Sequence, residues 1–398
     1  MSRRTSRPGR RRAPVSRPGS ILPELDGAVV TATATLVVTG LLMVYSATAT
    51  RDLDRLIPMH FVRQLTACLA GLAVAAATAS VPLAWWQRAA LPLWAAGTAL
   101  LATTLLAGVE VNGAQRWLAL PVLGLSFQPV EIAKWATVLA VAAWLAPGSG
   151  RVTPSPRRIY GGLGLATAPA LLLLLQPDLG NAVLILGVAC LLLFIVGAPG
   201  RYFLAPAAAG AVALAIHLAI HPYAVRRMVG FLDPWATASR EGFQLVQSFV
   251  GFGRGGLFGV GLGDGRQKLF YLPEAHTDFI LALVAEELGL FGVLVVLGAF
   301  AALLVAGTRI ARRAHGRFAA LVAFGMTALL VVPAIVNAAV VTGLVPTKGM
   351  AMPFLSYGRT GILMSFAALG VLLGVGLRDA RPRWQPVLGA GRRRSWRR

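Results

Sequence analysis

The sequence predicts an all-α, polytopic integral membrane fold with ten transmembrane helices and both termini cytoplasmic. Three observations carry this. Of the 398 residues, 57% are hydrophobic and 13% are charged, about half the charged share of a soluble domain. Apolar runs of about the 20 residues that a helix needs to cross a bilayer core recur from residue 27 to residue 377. The basic residues are also divided unevenly between the two faces that such spans define.

The ten segments are 27–48, 59–80, 89–108, 129–146, 160–176, 180–197, 202–221, 279–306, 318–342 and 361–377. The first follows an Arg-rich stretch and precedes Ala47-Thr48-Ala49, which resembles a signal-peptidase site. Its apolar run exceeds the roughly 7–15 residues of a secretory signal, so it is expected to stay as an uncleaved span. The fourth carries Glu131 and Lys134 near its start. A short break, Gln176-Pro177-Asp178-Leu179-Gly180, separates the fifth from the sixth.

Ten spans put the two tails and the even-numbered loops on one face. That face holds 24 of the 37 basic residues and 3 of the 15 acidic ones, a net +21. The opposite face nets +1, and the positive-inside rule makes the basic face cytoplasmic. The domain plan is an Arg-rich, disordered tail at 1–26, a membrane domain at 27–377 with a large outward loop at 222–278, and a basic tail at 378–398. The overall charge of +22 lies almost wholly on that basic face, about half of it in the tails, which suits anionic lipid rather than nucleic acid. Cys68 and Cys190 sit inside apolar runs without CxxC or Cys/His spacing, so neither a disulfide nor a cysteine metal site is expected.

Three outward loops carry the polar residues. Glycine occupies positions 251, 253, 255, 256, 259, 261, 263 and 265 of the longest. That stretch follows no strand of a βαβ unit, so it is no dinucleotide site, and it reads as a flexible loop over a cleft. The end of the same loop, Leu272-Pro273-Glu274-Ala275-His276-Thr277-Asp278-Phe279, gathers three titratable groups where a polar segment enters an apolar run. Glu274 and Asp278 are four apart and would share the first turn of a helix beginning near Pro273. Glu286 lies eight beyond Asp278, on the same helical face, and Glu287 about 100° round from it.

A carboxylate at a membrane boundary can be a general base, a metal ligand, a proton relay or an ion-pair partner. The competing reading is that Thr277 or Asp278 caps the helix. A cap requires no second carboxylate two turns deeper, which favours Asp278 as a catalytic residue. Outward cations at Arg116, Lys134, Arg226, Arg227, Arg254, Lys268, Lys348 and Arg359 would suit a phosphate or diphosphate if they converge. Snorkelling to the interface is the alternative, and Lys134 can simply pair with Glu131 at i, i+3. Trp117 can stack on a sugar or anchor at the interface.

Four stretches resemble the SEDS family (shape, elongation, division and sporulation), which includes FtsW, RodA and SpoVE. They are NGAQRWLALPVLGLSFQPVEIAK at 112–134, QPDLGNA at 176–182, QKLFYLPEAHTDFILALVAEELG at 267–289 and GLVPTKGMAMPFLSYG at 343–358. The Pro346-Thr347-Lys348-Gly349 segment is more similar to the division branch, FtsW, than to the elongation branch, RodA. Arg359-Thr360 departs from the family, which commonly has Gly then Ser there. The resemblance implies a peptidoglycan glycosyltransferase that polymerises lipid II, a disaccharide-pentapeptide on undecaprenyl pyrophosphate, at the septum on the outer face of the cytoplasmic membrane. It implies Asp278 as the catalytic residue. Arg116, Trp117, Lys134, Glu274, His276, Glu286, Lys348 and Ser356 are then candidates for substrate binding. No cofactor is expected, with a divalent cation (Mg or Mn) left open. The implied partners are a class B penicillin-binding protein transpeptidase, other divisome proteins and membrane lipid. Two other classes remain beside it: a lipid II flippase and a non-catalytic divisome scaffold.

Overall fold

The computed structural model describes residues 26–49, 57–111, 114–120, 125–147, 154–220, 222–272 and 275–380. Within them lie helices α1 (Gly27–Ala49), α2 (Met59–Ser80), α3 (Leu83–Ala107), α4 (Pro129–Leu145), α5 (Pro156–Leu175), α6 (Leu179–Ile195), α7 (Arg201–Ile220), α8 (Pro222–Leu232), α9 (Phe243–Gly255), α10 (Ile280–Arg313), α11 (Arg317–Val341) and α12 (Arg359–Ala380). Each of the ten predicted segments falls on one of these helices. Eight of them, α1, α2, α3, α5, α7, α10, α11 and α12, are long and apolar enough to cross a membrane, and α6 is a shorter apolar helix. The protein is thus a multi-pass membrane protein. The fourth predicted span is α4, whose 17 residues fall short of the roughly 20 that a bilayer core needs. The predicted tails, 1–26 and 378–398, fall almost wholly outside the described residues.

Proline starts several of these helices. Pro58 and Pro82 precede α2 and α3, and Pro129 and Pro156 open α4 and α5. The missing N–H costs little there, because the first turn has no partner for it. Helix α6 begins differently. Asp178 is its N-cap, accepting from the N–H of Asn181 at 3.3 Å and from its Nδ2 at 2.7 Å. The short break seen in the sequence is therefore a capped turn. Helices α4 and α11 are buried along most of their length, whereas α7 is wholly unburied at the edge of the bundle.

Two of the polar loops are more ordered than expected. The all-α expectation misses a small sheet in the 109–128 region: β1 (Val109–Val111), β2 (Ala114–Leu120) and β3 (Leu125–Phe127), antiparallel in that order. Val109 pairs with Trp117, and Leu118 with Phe127. The glycine-rich stretch is not a flexible cover. Residues 243–255 form α9, packed on α10 through glycine. A Cβ on Gly251 would meet the Ala282 carbonyl at 3.3 Å, and one on Gly255 would overlap the Ala285 carbonyl.

Helix α10 is interrupted at Gly289, which has φ 68° and ψ −167°. Residues 256–261 fill the break. Val260 and Gly261 donate to the carbonyls of Glu286 and Glu287 at 3.0 and 3.2 Å. Leu290 and Phe291 donate to the carbonyls of Gly256 and Leu257 at 2.9 and 3.1 Å. Backbone groups freed within a membrane domain need such partners, because lipid offers none. Gly289 cannot be replaced without strain: its φ disfavours a Cβ, which would also lie 2.6 Å from the Leu257 carbonyl group.

Candidate active site

Helix α10 starts at Ile280, later than the Pro273 start expected from the sequence. Residues 275–279 form a turn ahead of it, so Asp278 does not sit on the helix. The N-cap is Phe279, with no side-chain capping bond, which places neither Thr277 nor Asp278 in the capping position. Glu274 lies outside the described residues.

Side chains from two other elements fix the turn. Asn337 of α11 donates through Nδ2 to the carbonyl of Asp278 at 2.6 Å and to that of Met350 at 2.7 Å. Ser356 Oγ donates to the carbonyl of Thr277 at 2.6 Å and accepts from the N–H of Met352 at 2.9 Å. The N–H of Tyr357 donates to the carbonyl of His276 at 2.9 Å. Ser356 is thus buried and grips the backbone beside Asp278. His276 lies in a cluster of three rings, 5.8 Å from His60 and 5.6 Å from Tyr357.

The half-buried Asp278 carboxylate faces the Pro346-Thr347-Lys348-Gly349 segment. A Cβ on Gly349 would lie 2.5 Å from its Oδ2. Only glycine leaves room there. Lys348 extends to the α6 N-terminus, where its Nζ lies 3.9 Å from Asp178 Oδ1 and packs against Gly180. Arg227 of α8 donates to the carbonyl of Thr347 at 3.2 Å. Arg116 of β2 donates to the carbonyls of Gln176 and Pro177 at 3.2 and 2.7 Å. Burial pushes the Lys348 ammonium down to about 8, an effect opposed by Asp178 and reinforced by Arg116 and Arg227. Arg116 and Arg227 thus lie near Lys348, which alone of the three faces the Asp178 carboxylate, and Asp278 lies against Gly349 of the same segment.

The other candidate cations are accounted for elsewhere. Lys134 pairs with Glu131 at 2.6 Å, Arg226 with Glu241 at 3.2 Å, Arg254 with Glu286 at 2.7 Å and Lys268 with Glu287 at 2.9 Å. Arg359 is the first residue of α12, and Thr360 accepts from the N–H of Gln128 at 3.3 Å. Glu286 is fully buried. Besides Arg254, it accepts from the N–H groups of Arg266 and Gln267, each at 3.0 Å. Its carboxylate is therefore bonded to Arg254 and to the loop before Asp278. Glu287 is equally committed, to Lys268, Ser46 and the N–H of Gly263. Trp117 follows Arg116 on β2, so the two side chains point to opposite faces of the strand and do not share a surface.

Asp178 and Asn337 join the site without having been singled out for it by the sequence, while Arg227 was one of the candidate cations and does converge there. Asp178 carried a signal: an acid in an apolar break, three residues before Asn181, has the spacing of an N-cap. Among the described residues no three His, Cys, Asp or Glu side chains gather as a metal centre.

A family model described as Cell cycle protein, covering FtsW, RodA and SpoVE, matches residues 27–379. A Halomonas elongata protein described as a probable peptidoglycan glycosyltransferase FtsW is 40% identical over 375 residues, covering 91% of this chain and 93% of its own. A Legionella pneumophila protein of the same description is 37% identical over 383 residues, covering 94% and 95%. Among solved structures, a chain from work on structural coordination of polymerization and crosslinking by a peptidoglycan synthase complex superimposes with a TM-score of 0.73. It is 29% identical and covers 89% of this chain and 98% of that one. The Thermus thermophilus rod shape determining protein RodA gives a TM-score of 0.65 at 29% identity, covering 90% and 98%.

Proposed function

The chain belongs to the FtsW/RodA/SpoVE family, and from that premise we propose that it is a peptidoglycan glycosyltransferase of cell division, polymerising lipid II on the outer face of the cytoplasmic membrane at the septum. In this reading α1–α7 and α10–α12 are ten spans, both termini are cytoplasmic, and Asp278 with the 346–349 segment faces outward. The relatives described as FtsW support the activity and the division role. The likeness to a peptidoglycan synthase complex supports a penicillin-binding protein as partner, here of class B, alongside other divisome proteins.

One observation carries the chemistry: the 346–349 segment sets its Gly349 against the Asp278 carboxylate and carries Lys348, with Arg116 and Arg227 close by. The acceptor saccharide presents its 4-hydroxyl to Asp278, which takes the proton. The hydroxyl oxygen bonds to the anomeric carbon of the donor sugar. The bond from that carbon to the lipid diphosphate breaks, and inversion converts α to β. The leaving diphosphate takes the electron pair, and Arg116, Arg227 and Lys348 neutralise it. Helix α6 adds the positive end of its dipole at Asp178, where Lys348 already points. His276 and Ser356 shape the turn that holds the base, and Trp117 offers a ring for stacking on a sugar.

The test is polymer formation from lipid II by the purified protein with its penicillin-binding partner in detergent. Glycan strands should accumulate with release of undecaprenyl pyrophosphate. Movement of lipid II across vesicles without any polymer would favour a flippase, and neither activity would favour a scaffold.

A further inference from the structure

Asn337 is the one carboxamide of α11, which from Phe318 to Val341 is apolar but for it and Thr327, and it is fully buried. Its Nδ2 has two acceptors, the carbonyls of Asp278 and Met350. Its Oδ1 is buried and has no hydrogen-bond partner among the described residues. A buried acceptor left open is destabilising and offsets part of what the two Nδ2 bonds contribute. What the residue does gain is geometry. One amide nitrogen joins the peptide of the catalytic turn to the peptide that follows Gly349.

We propose that Asn337 is a positioning residue for the reaction, setting the direction of the Asp278 carboxylate from behind without touching substrate. This rests on the reading of Asp278 as general base. The carboxylate lies between two fixed points: its own carbonyl, held by Nδ2 at 2.6 Å, and Gly349, which a Cβ would bring to 2.5 Å of Oδ2. Met350 neighbours Gly349, and its carbonyl is held by the same nitrogen at 2.7 Å. The side chain thus keeps base and glycine in register. If it lets go, the 275–279 turn and the 346–352 segment can slide past each other, and the carboxylate swings from the acceptor hydroxyl. Ser356, which holds Thr277 and Met352, cannot replace it, because both of its bonds fall one residue or more from Asp278 and Gly349.

The experiment compares Asn337→Leu, Asn337→Asp and Asp278→Asn in the intact complex with its penicillin-binding partner, using lipid II titrations and thermal unfolding. Leucine keeps the branching and the heavy-atom count and removes both the donor and the unpartnered oxygen. Aspartate keeps the shape and removes the donor. A displacement of about 1 Å costs on the order of 10²-fold in rate. Both Asn337 variants should therefore lose about that much in kcat, with KM within twofold of wild type and with the leucine variant melting no earlier than the aspartate one. Asp278→Asn should lose activity altogether. If Asp278→Asn is inactive while folded Asn337→Leu keeps wild-type kcat, the positioning role is overturned and the base assignment stands. If Asp278→Asn is fully active, the base assignment itself falls, and this role with it. A loss confined to KM, or to the folded fraction, would also overturn it.

Discussion

A methyl group on Gly349 would stand 2.5 Å from Oδ2 of Asp278 and 3.2 Å from its carboxylate carbon. An aspartate is too short to bend away without turning its carboxylate. Gly349→Ala should therefore lower polymerisation by about 10²-fold, the usual cost of displacing a reacting group by about 1 Å. Gly349 is exposed, so the thermal midpoint should barely move. A Gly349→Ala complex with wild-type polymer yield would show that the carboxylate need not sit where it does.

Asp278→Asn separates base from scaffold. The amide keeps the shape of the side chain and leaves the backbone bond from Asn337 to the Asp278 carbonyl in place. Loss of a general base costs about 10²–10⁴ in rate. The variant should fold, bind its partner and make no detectable polymer. Near-normal polymer from a well-folded protein would return Glu274 to candidacy.

Lys348 makes donor binding pH-dependent. Its ammonium is held down to about 8, by burial first and then by Arg116 and Arg227. Only the protonated form neutralises a diphosphate. Below pH 8 it is charged and binding is intact, and as pH rises past 8 the charge is lost. KM for lipid II should climb between pH 8 and pH 9 in the wild type. Lys348→Arg, charged throughout, should flatten the curve at a low KM, and Lys348→Met at a high one. A wild-type KM that stays level across this range would remove Lys348 from the donor site.

Arg254 and Glu286 form a pair between a one-third-exposed cation and a wholly buried carboxylate, 2.7 Å apart. Arg254→Met leaves that carboxylate with only the N–H groups of Arg266 and Gln267. It should cost about 3 kcal/mol, the low end for a buried pair losing one partner, seen as a lower unfolding midpoint. Arg254→Met with Glu286→Leu should recover most of the loss. A double variant no more stable than the single one would contradict a structural role for the pair.

Topology is tested by reporter fusions. Ser239, between α8 and α9, is expected outside, and Ser149, between α4 and α5, inside. A periplasm-active reporter at Ser149, or a cytoplasm-active one at Ser239, would invert the arrangement and remove Asp278 from the outer face.

The spans were legible in the sequence because uninterrupted apolar runs mean little else in a chain this poor in charge. The segments between them were not. Gly251 and Gly255 suggested flexibility because glycine is a poor helix former, yet their absent side chains are what lets α9 lie on the carbonyls of α10. The cations were indistinguishable for a related reason. Lys134 and Glu131 are three apart, so that pair could be foreseen, whereas Arg254 and Glu286 are 32 apart and Lys268 and Glu287 are 19 apart. Which charges cancel, and which converge with Arg116, Arg227 and Lys348, depends on the tertiary fold. Asp178 and Asn337 were hidden likewise: their partners, Lys348 and Asp278, lie far away along the chain.

The break in α10 bears on how the protein is made. Its exposed N–H and C=O groups are closed by residues 256–261, which precede the helix in the chain. These residues leave the ribosome first and are ready when the helix arrives. Alone in the translocon, residues 280–313 would have every reason to insert as one straight rod, since lipid tolerates no open backbone group. The bend in this helix therefore depends on a segment that precedes it in the chain. A permuted gene that translated α10 before α9 would send the helix into the bilayer without the piece that bends it.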